Sequence, residues 1–345
     1  MQRVDDVFAV AGPQLMRRLT YELLLSVLET NTEICHSIDE AVTELTSRRK
    51  VLRELLGGMG IALAAQGTHP FADYRRQEFV HTEHYQWVAA KCGEPARRNL
   101  SFGQHVHVGV DDREGAVYAV GELARWTGPL LALSVNSPVF DGRLTGLRSM
   151  RTRLFGALPR TGFPPAFRSY ADLEEYVERM LAAGHITRPG DLWWTIRPQP
   201  PLGTVEVRVM DCQTDLWRTG ALAALVQALV KEYMERFHRA VPASRLRFDY
   251  VDANHWSAAR FGLDGPYMDP TTGDTRTMRD AAGELLDLAR THQDALGLKA
   301  HLGNVSRILR QGTGADWIEA TFRTVGGDTA RLQHAVMERT VNRQP

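Results

Sequence analysis

The sequence predicts an α+β fold with an antiparallel sheet, and three observations lead to this prediction. Strand-like alternation and a hairpin-like turn concentrate in the middle of the chain, at residues 99–110 and 192–211. Helical patterns then follow one another in runs instead of alternating with strands, as they would in a doubly wound parallel sheet. The motifs typical of parallel α/β enzymes (G-x-G-x-x-G, G-x-x-x-x-G-K-S/T and G-x-S-x-G) do not occur in the sequence.

Each predicted element has a local pattern behind it. The first clear helix begins at Ser37, which can cap it together with Glu40, and apolar residues recur at helical spacing up to Gly57. The strand at 99–110 alternates valines with histidines, as a half-buried strand does. The other elements predicted in chain order are a strand at 61–65, a helix around 81–92, a buried helix over 116–136, a long loop over 137–167, a helix over 172–184, strands at 192–197 and 204–211, and helices from 215 to about 340 that are interrupted by a turn within 261–276.

The composition is that of an ordinary globular protein, with 43% hydrophobic and 24% charged residues. Lysine plus arginine and aspartate plus glutamate both number 41, so the formal net charge is zero and a nucleic-acid partner is disfavoured. The acidic start of the chain does not look like a secretory signal, and no apolar run reaches the length of a membrane span. Three cysteines without a C-x-x-C pair indicate a reducing compartment. We therefore expect a cytoplasmic protein with no membrane or nucleic-acid partner.

Two of the strands carry residue types that hold metals and phosphates. In H-V-H-V-G, His105 and His107 share one strand face opposite the valines, and imidazole is a common metal ligand. In T-V-E-V-R-V-M-D, the pattern places Glu206, Arg208 and Met210 on one face; a carboxylate suits a divalent cation and an arginine suits a phosphate. Histidines on a solvated strand face and an exposed Glu–Arg pair are the ordinary alternatives, and these residues alone leave both open.

A pair of glutamates and a loop arginine are further candidates. Glu22 and Glu29 are seven residues apart, which places them on one face of a helix but on opposite faces of a straight strand. In an extended chain, a bulge or bend is needed to bring both carboxylates to one site. Arg151 lies in an arginine-rich part of the predicted loop over 137–167, and its planar fork matches phosphates and carboxylates. Two solvated acids and a solvated basic loop are the competing interpretations.

Several stretches, in order, resemble the carboxylate–amine ligases of the glutamate–cysteine ligase type 2 family. They read QGTHPF, FGQHVHVGV, LLALSVNSPVF and LWWTIRPQPPLGTVEVRVMDC, and the resemblance extends from about Ala9 to near the C-terminus. It implies a glutamine synthetase-like fold whose antiparallel sheet forms the active-site floor, with helices on its other face. It also implies an ATP-dependent ligase that joins an acid to an amine through an acyl phosphate, with glutamate and cysteine as the best-known pair.

The resemblance also implies roles for individual residues. Arg208 matches a position that contacts phosphate and is, with Glu206, a predicted catalytic residue. Arg151 and Arg197 are further candidate contacts of the ATP phosphates or of a substrate carboxylate. The predicted Mg²⁺ ligands are Glu22, Glu29, His105 and Glu206.

One departure from the family pattern keeps alternatives open. No G-x-E-x-E strand, with which members of the family usually begin, precedes Glu22, and the resemblance therefore implies a chain that lacks this strand. A catalytically impaired relative that binds nucleotide or an amino acid is the main alternative. A metal-dependent hydrolase that uses His105, His107 and Glu206 is a more distant one. We expect one catalytic domain over residues 1–345, because the predicted site draws on distant parts of the chain, and a homo-oligomer.

Overall fold

The structure, a computed structural model, describes residues 2–342; the domain prediction also includes Met1 and residues 343–345, which lie outside the described residues. Helices form most of the described chain. They are α1 (Val4–Val10), α2 (Pro13–Met16), α3 (Ile38–Gly58), α4 (Glu83–Cys92), α5 (Glu94–Arg98), α6 (Arg113–Leu123), α7 (Thr127–Ser134), α8 (Met150–Phe155), α9 (Tyr170–Ala182), α10 (Leu216–His238), α11 (Phe248–Phe261), α12 (Met278–Arg290), α13 (Lys299–Gln311), α14 (Gly314–Thr324) and α15 (Thr329–Asn342).

The strands form one three-stranded sheet and three hairpin ladders, all of them antiparallel. The sheet has the order β3–β7–β6, and the ladders pair β1 with β2, β4 with β5 and β8 with β9. The strands are β1 (Leu19–Tyr21), β2 (Leu28–Thr30), β3 (Gly103–Gly109), β4 (Val139–Phe140), β5 (Arg143–Leu144), β6 (Ile196–Gln199), β7 (Thr204–Asp211), β8 (Pro266–Met268) and β9 (Thr275–Thr277).

Helices cover one face of the three-stranded sheet. Helix α6 packs on β6 and β7, α7 on β7, and α10 on β3, with α12 and α13 outside α10. Val205, Val207 and Val209 of β7 belong to this core and are at most 2% exposed. The prediction of an α+β fold with an antiparallel sheet and helices on its other face is confirmed, and the opposite sheet face is left for polar side chains.

The first predicted helix is confirmed at its start: α3 begins after Ser37, whose hydroxyl accepts a hydrogen bond from the Glu40 amide. The strand predicted at 61–65 is wrong, because Ile61 and Leu63 pack against the apolar face of α3 without a strand partner in the described chain. The helix predicted over 116–136 is two helices, α6 and α7. Pro129, which has no N–H to donate, lies in the first turn of the second.

The loop predicted over 137–167 contains regular structure. The β4–β5 hairpin occupies its start, and α8 follows, with the Ser149 hydroxyl accepting a hydrogen bond from the Thr152 amide. Ser149 at the N-cap was the sequence signal for this helix. The predicted turn within 261–276 is confirmed as the connection of the β8–β9 hairpin, where Asp269 accepts hydrogen bonds from the Thr271 and Thr272 amides.

Candidate active site

Glu206 is the centre of the polar sheet face, and the strand register explains why. His107 of β3 and Arg197 of β6 both pair with Glu206 across the ladder, one from each side. Cross-strand partners lie side by side on the same face of a sheet. A carboxylate in the middle strand is therefore flanked by an imidazole and a guanidinium, although the three residues are far apart in sequence.

The Glu206 carboxylate is 1% exposed and accepts hydrogen bonds on both oxygens. Arg197 Nε and Gln199 Nε2 donate to Oε2 at 2.7 and 2.8 Å, and Arg208 Nη1 donates to Oε1. Burial opposes ionisation, but a hydrogen bond from His107 and the charges of Arg208 and Arg197 outweigh it and hold the pKa of Glu206 well below its usual range. Glu206 is therefore an anionic anchor for two guanidinium groups.

The two histidines contact this anchor from β3. His105 Nδ1 lies 3.8 Å from Glu206 Oε1 and 3.4 Å from Arg208 Nη1, and His107 Nε2 lies 3.5 Å from the same carboxylate oxygen. Burial and the positive charge of Arg208 lower the pKa of His105 well below its usual value, so His105 is neutral at physiological pH. A neutral imidazole retains a lone pair, which a metal or a proton donor can use.

Arg208 lies in a bulge of the sheet. His105 is the single residue of β3 between the pairs Gln104–Met210 and Val106–Val207, whereas β7 has two residues in that interval, Arg208 and Val209. The strict alternation expected for β7 ends here. Met210, predicted on the polar face, is fully buried with the valines of the core, and this part of the prediction is wrong.

Glu22 and Glu29 reach the same face from a hairpin. Tyr21 pairs with Leu28, so the chain reverses direction over residues 22–27, and this turn supplies the bend that an extended chain requires. Burial and the negative charge of Glu29 raise the pKa of Glu22 to about 7, against opposing effects of the Leu23 amide, Arg208 and Arg151. Burial also raises the pKa of Glu29. A hydrogen bond from Thr20 and the charge of Arg208 lower this pKa, whereas the charge of Glu206 raises it.

Arg151 lies at the edge of this face but donates to the main chain. Its Nη1 and Nη2 donate to the carbonyl oxygens of Val209 and Arg208, both at 3.0 Å. Gly103 makes room for it, since a Cβ there would lie 2.4 Å from Arg151 Nη2 and 3.2 Å from His105 Nε2. Arg197 also donates to the main chain. Besides its hydrogen bond to Glu206, its Nη1 donates to the Gly190 carbonyl oxygen at 3.0 Å.

The predicted residues therefore lie together, but not as a closed metal cage. His105, Glu206 and Arg208 share one face of the sheet, and the Arg208 charge acts on both Glu22 and Glu29 of the hairpin. No three of the four predicted ligands, however, have their ligand atoms within 4.8 Å of one another. Within residues 2–342, the cluster that meets this criterion is Glu232, Glu235 and His292, on α10 and just after α12. In that cluster His292 Nε2 lies 2.8 Å from Glu232 Oε2, so a hydrogen bond between the two segments accounts for the contact.

The donor chemistry of the hairpin glutamates fits a divalent cation. Burial raises the pKa of both carboxylates, and the charge of Glu29 raises that of Glu22 further, so a hard cation with oxygen ligands would stabilise their ionised forms. Glu206 fits less directly, because both of its oxygens are already hydrogen-bonded. The assignment of Glu22, Glu29, His105 and Glu206 as Mg²⁺ ligands stays a prediction.

Sequence reasoning missed three residues of this region. Gln199 bonds Glu206, Gly103 admits Arg151, and Asp211 accepts hydrogen bonds from neighbouring hydroxyl groups. The signal for Gln199 and Gly103 was the period of two, since they lie two residues from Arg197 and from His105 on the same strand faces. No local signal marks Asp211, because its partners come from residues 136–149.

The fold is shared with a crystal structure of a bifunctional glutathione synthetase from Pasteurella multocida, at a TM-score of 0.69 and 12% sequence identity. The superposition covers 96% of this chain and 48% of that longer chain. No helix of the described residues is both long and apolar enough to cross a bilayer.

The chain belongs to glutamate–cysteine ligase family 2, a family of ligases, whose family model matches residues 5–339. A relative from Sorangium cellulosum named "Putative glutamate--cysteine ligase 2" is 38% identical over 88% of this chain and 82% of its own length. Relatives from Thermobifida fusca and Rubrobacter xylanophilus are 36% and 37% identical, over 94% and 91% of this chain and 81% and 83% of their own lengths. The resemblance found in the sequence is confirmed, and the chain is an enzyme of the ligase class.

Proposed function

We propose that this protein is an ATP- and Mg²⁺-dependent carboxylate–amine ligase that joins L-glutamate to L-cysteine through an acyl phosphate. The products are γ-glutamylcysteine, ADP and phosphate. The observation that carries this proposal is the grouping of an anchored arginine, Arg208, with two hairpin carboxylates, Glu22 and Glu29, on both of which the Arg208 charge acts. Phosphoryl transfer needs such a guanidinium for the phosphate oxygens and carboxylates for a cation.

The proposed reaction has two steps. A γ-carboxylate oxygen of glutamate attacks the γ-phosphorus of ATP, the bond from that phosphorus to the bridging oxygen breaks, and ADP leaves. The amine nitrogen of cysteine then attacks the acyl carbon, inorganic phosphate leaves, and the nitrogen loses a proton. Negative charge develops on the transferred phosphoryl oxygens in the first step, and Arg208 donates hydrogen bonds toward that charge.

Glu206 contributes by holding Arg208 in place. A free arginine side chain has several rotamers, and fixing it before the substrates arrive removes the cost of ordering it during the reaction. The bonds from Glu206 to Arg197 and Arg208 fix both guanidiniums against the sheet. Mg²⁺, held by Glu22 and Glu29 with His105 and Glu206 nearby, would neutralise charge on the ATP phosphates.

The alternative is a relative that binds nucleotide without turning it over. It is supported by the spacing of the four predicted Mg²⁺ ligands, no three of which come within 4.8 Å of one another among residues 2–342. The hydrolase alternative finds no support, since the matched family consists of ligases.

The test is ADP release by purified protein with ATP, Mg²⁺ and glutamate, with and without a panel of amines. The proposal predicts release that depends on glutamate and increases with cysteine, together with formation of γ-glutamylcysteine. Release with another amine would keep the ligase and correct the substrate. Mg²⁺-dependent ATP binding without release under any combination would favour the non-catalytic alternative, and release of phosphate without any amide would contradict the ligase.

Three coarser expectations complete the proposal. We propose one catalytic domain over residues 1–345, a cytoplasmic location, where ATP and reduced cysteine are both available, and a homo-oligomer. Light scattering on the purified chain would contradict the last of these if it found only the monomer mass of 38.7 kDa.

A further inference from the structure

Arg151 clamps the bulge of β7. In a regular strand, successive carbonyl groups point to opposite edges, so one planar guanidinium cannot reach two in a row. Arg208 and Val209 are the two bulge residues, and Arg151 donates to both of their carbonyl oxygens at 3.0 Å. The bulge removes these carbonyls from the regular ladder, and the arginine fork satisfies both of them.

The main chain of Arg151 is in turn fixed to the end of β7. The Arg151 amide donates to Ser137 Oγ at 3.1 Å, and Ser137 Oγ donates to Asp211 Oδ2 at 2.7 Å. Asp211 Oδ1 also accepts a hydrogen bond from Ser149 Oγ at 2.8 Å, and Ser149 caps the helix that carries Arg151. Hydrogen bonds thus connect the end of β7 to the start of α8, and Arg151 of α8 to the bulge of β7.

The main chain that Arg151 holds carries the Arg208 side chain and lies opposite His105. His105 lies opposite Arg208 and Val209, and its Nδ1 is 3.4 Å from Arg208 Nη1. Without the two hydrogen bonds from Arg151, the main chain at Arg208 and Val209 would be free to shift, and with it the base of the Arg208 side chain that reaches Glu206.

We propose that Arg151 is a positioning residue for Arg208 and His105, not a direct contact of the ATP phosphates. This inference rests on the proposed function for the role of Arg208. The competing interpretation is the predicted phosphate contact, for which Arg151 Nε would be available, since this buried nitrogen has no hydrogen-bond partner among residues 2–342.

The first test is a double-mutant cycle with Arg208. Arg151→Ala alone should lower kcat/KM by about 10- to 100-fold, the range for residues that orient functional ligands. In an Arg208→Ala background, the same substitution should change kcat/KM by no more than about twofold, because the residue through which Arg151 acts is already gone. Losses that multiply in the double variant would overturn the proposal and support a direct phosphate contact.

Conservative variants separate the clamp from simple charge. Arg151→Lys keeps the positive charge but lacks the rigid planar fork that donates to both carbonyl oxygens at once, so it should lose activity much as Arg151→Ala does. Full activity and ATP affinity in Arg151→Lys would overturn the proposal. Gly103→Ala leaves Arg151 in the chain but places a methyl group in its space, and it should reproduce part of the loss. Arg153→Ala is the matched control, because Arg153 is exposed on the same helix and stacks on Trp256.

A structural readout remains informative even if the protein does not turn over. Crystal structures of the wild type and of Arg151→Ala show directly whether the bulge and the Arg208–Glu206 hydrogen bond persist. Loss of the bulge, or a redirected Arg208, is expected. An unchanged sheet with Arg208 still bonded to Glu206 would overturn the clamp. Absence of ADP release by the wild type would instead count against the proposed function alone.

Discussion

The two buried carboxylates of β7 differ in what surrounds them. Glu206 bonds two arginines and a glutamine, and the hydrogen bond from His107 and the arginine charges outweigh burial and hold its pKa well below the usual range. Asp211, five residues further along the strand, accepts hydrogen bonds from the Ser137 and Ser149 hydroxyls and the Asn136 amide. At Asp211 burial dominates and raises the pKa, although Arg151 and these hydrogen bonds act in the opposite direction.

The difference indicates that the Glu206 carboxylate belongs to the site, whereas the Asp211 carboxylate stabilises the surrounding structure. Glu206 lies where the guanidinium groups of Arg197 and Arg208 converge on the polar sheet face, an arrangement that suits phosphates. Asp211 lies where neutral groups of residues 136–149 must be fixed, and it connects that segment to the sheet. We infer that Glu206 serves the reaction and Asp211 serves the position of α8. Substitutions at the two residues should therefore change the free energy of unfolding with opposite dependence on pH.

The largest effect is expected from Glu206→Gln. This change leaves the Arg197 and Arg208 guanidiniums without their counter-charge, and such a loss costs about 3–5 kcal/mol in the free energy of unfolding. Because the folded pKa of Glu206 is depressed, its stabilisation is present above about pH 4.3 and is lost as the pH falls. Urea unfolding between pH 3 and 7 should therefore show a wild-type advantage that shrinks toward acid pH. An advantage independent of pH would contradict the ionised Glu206.

Arg208→Ala should affect activity more than stability. Removing one donor to developing charge costs about 10²- to 10³-fold in kcat. The glutamate- and cysteine-dependent rate of ADP release measures this loss, with thermal unfolding to verify that the variant is folded. A loss of less than about threefold in folded protein would remove Arg208 from the reacting groups.

Asp211→Asn, in contrast to Arg208→Ala, should affect stability more than activity. Its cost in the free energy of unfolding should be smaller than that of Glu206→Gln. The amide that replaces one carboxylate oxygen cannot accept the Ser137, Ser149 or Asn136 hydrogen, which costs about 1–3 kcal/mol. The raised folded pKa gives Asp211 the opposite sign to Glu206: its contribution is full below about pH 3.9 and falls as the pH rises through the folded value. The deficit of the variant in urea unfolding should thus be greatest at acid pH, and a deficit that grows with pH would contradict the assignment.

The smallest effect concerns Glu22 and the pH. With a pKa of about 7, Glu22 is partly protonated at neutral pH, and protonation competes with a bound cation. The Mg²⁺ concentration for half-maximal ADP release should rise as the pH falls from 8 to 6, approaching about tenfold per pH unit below 7. Glu22→Gln should weaken Mg²⁺ dependence at pH 8 and flatten this pH profile. Identical profiles for both proteins would exclude Glu22 as a ligand.

The sequence predicted the sheet and most of the residues on its polar face for a simple reason. Period-two alternation in β3 and β7 is a local property, so His105, Glu206 and Arg208 can be assigned to one face without knowing the fold. The class of ligase also followed from ordered local motifs. Glu22 and Glu29 were assigned to one site only through the family resemblance, since their spacing alone fits a helix better than a strand.

What the sequence could not give depends on contacts between distant segments. The bulge at Arg208 arises because one residue of β3 faces two residues of β7, and these strands are about a hundred residues apart in the chain. The sequence of either strand alone does not indicate it. This mismatch is why Met210 was assigned to the wrong face. The roles of Arg151 and Asp211 likewise depend on how residues 136–151 pack against β7, which no local period encodes.

Transfer of ¹⁸O from the γ-carboxylate of labelled glutamate to inorganic phosphate tests the central claim most directly. An acyl phosphate on this site predicts one ¹⁸O atom in each phosphate released together with the amide, and the label should depend on Arg208. Phosphate without ¹⁸O, released while ATP is consumed, would mean that water attacks the γ-phosphorus. That result would contradict a carboxylate–amine ligase acting through an acyl phosphate.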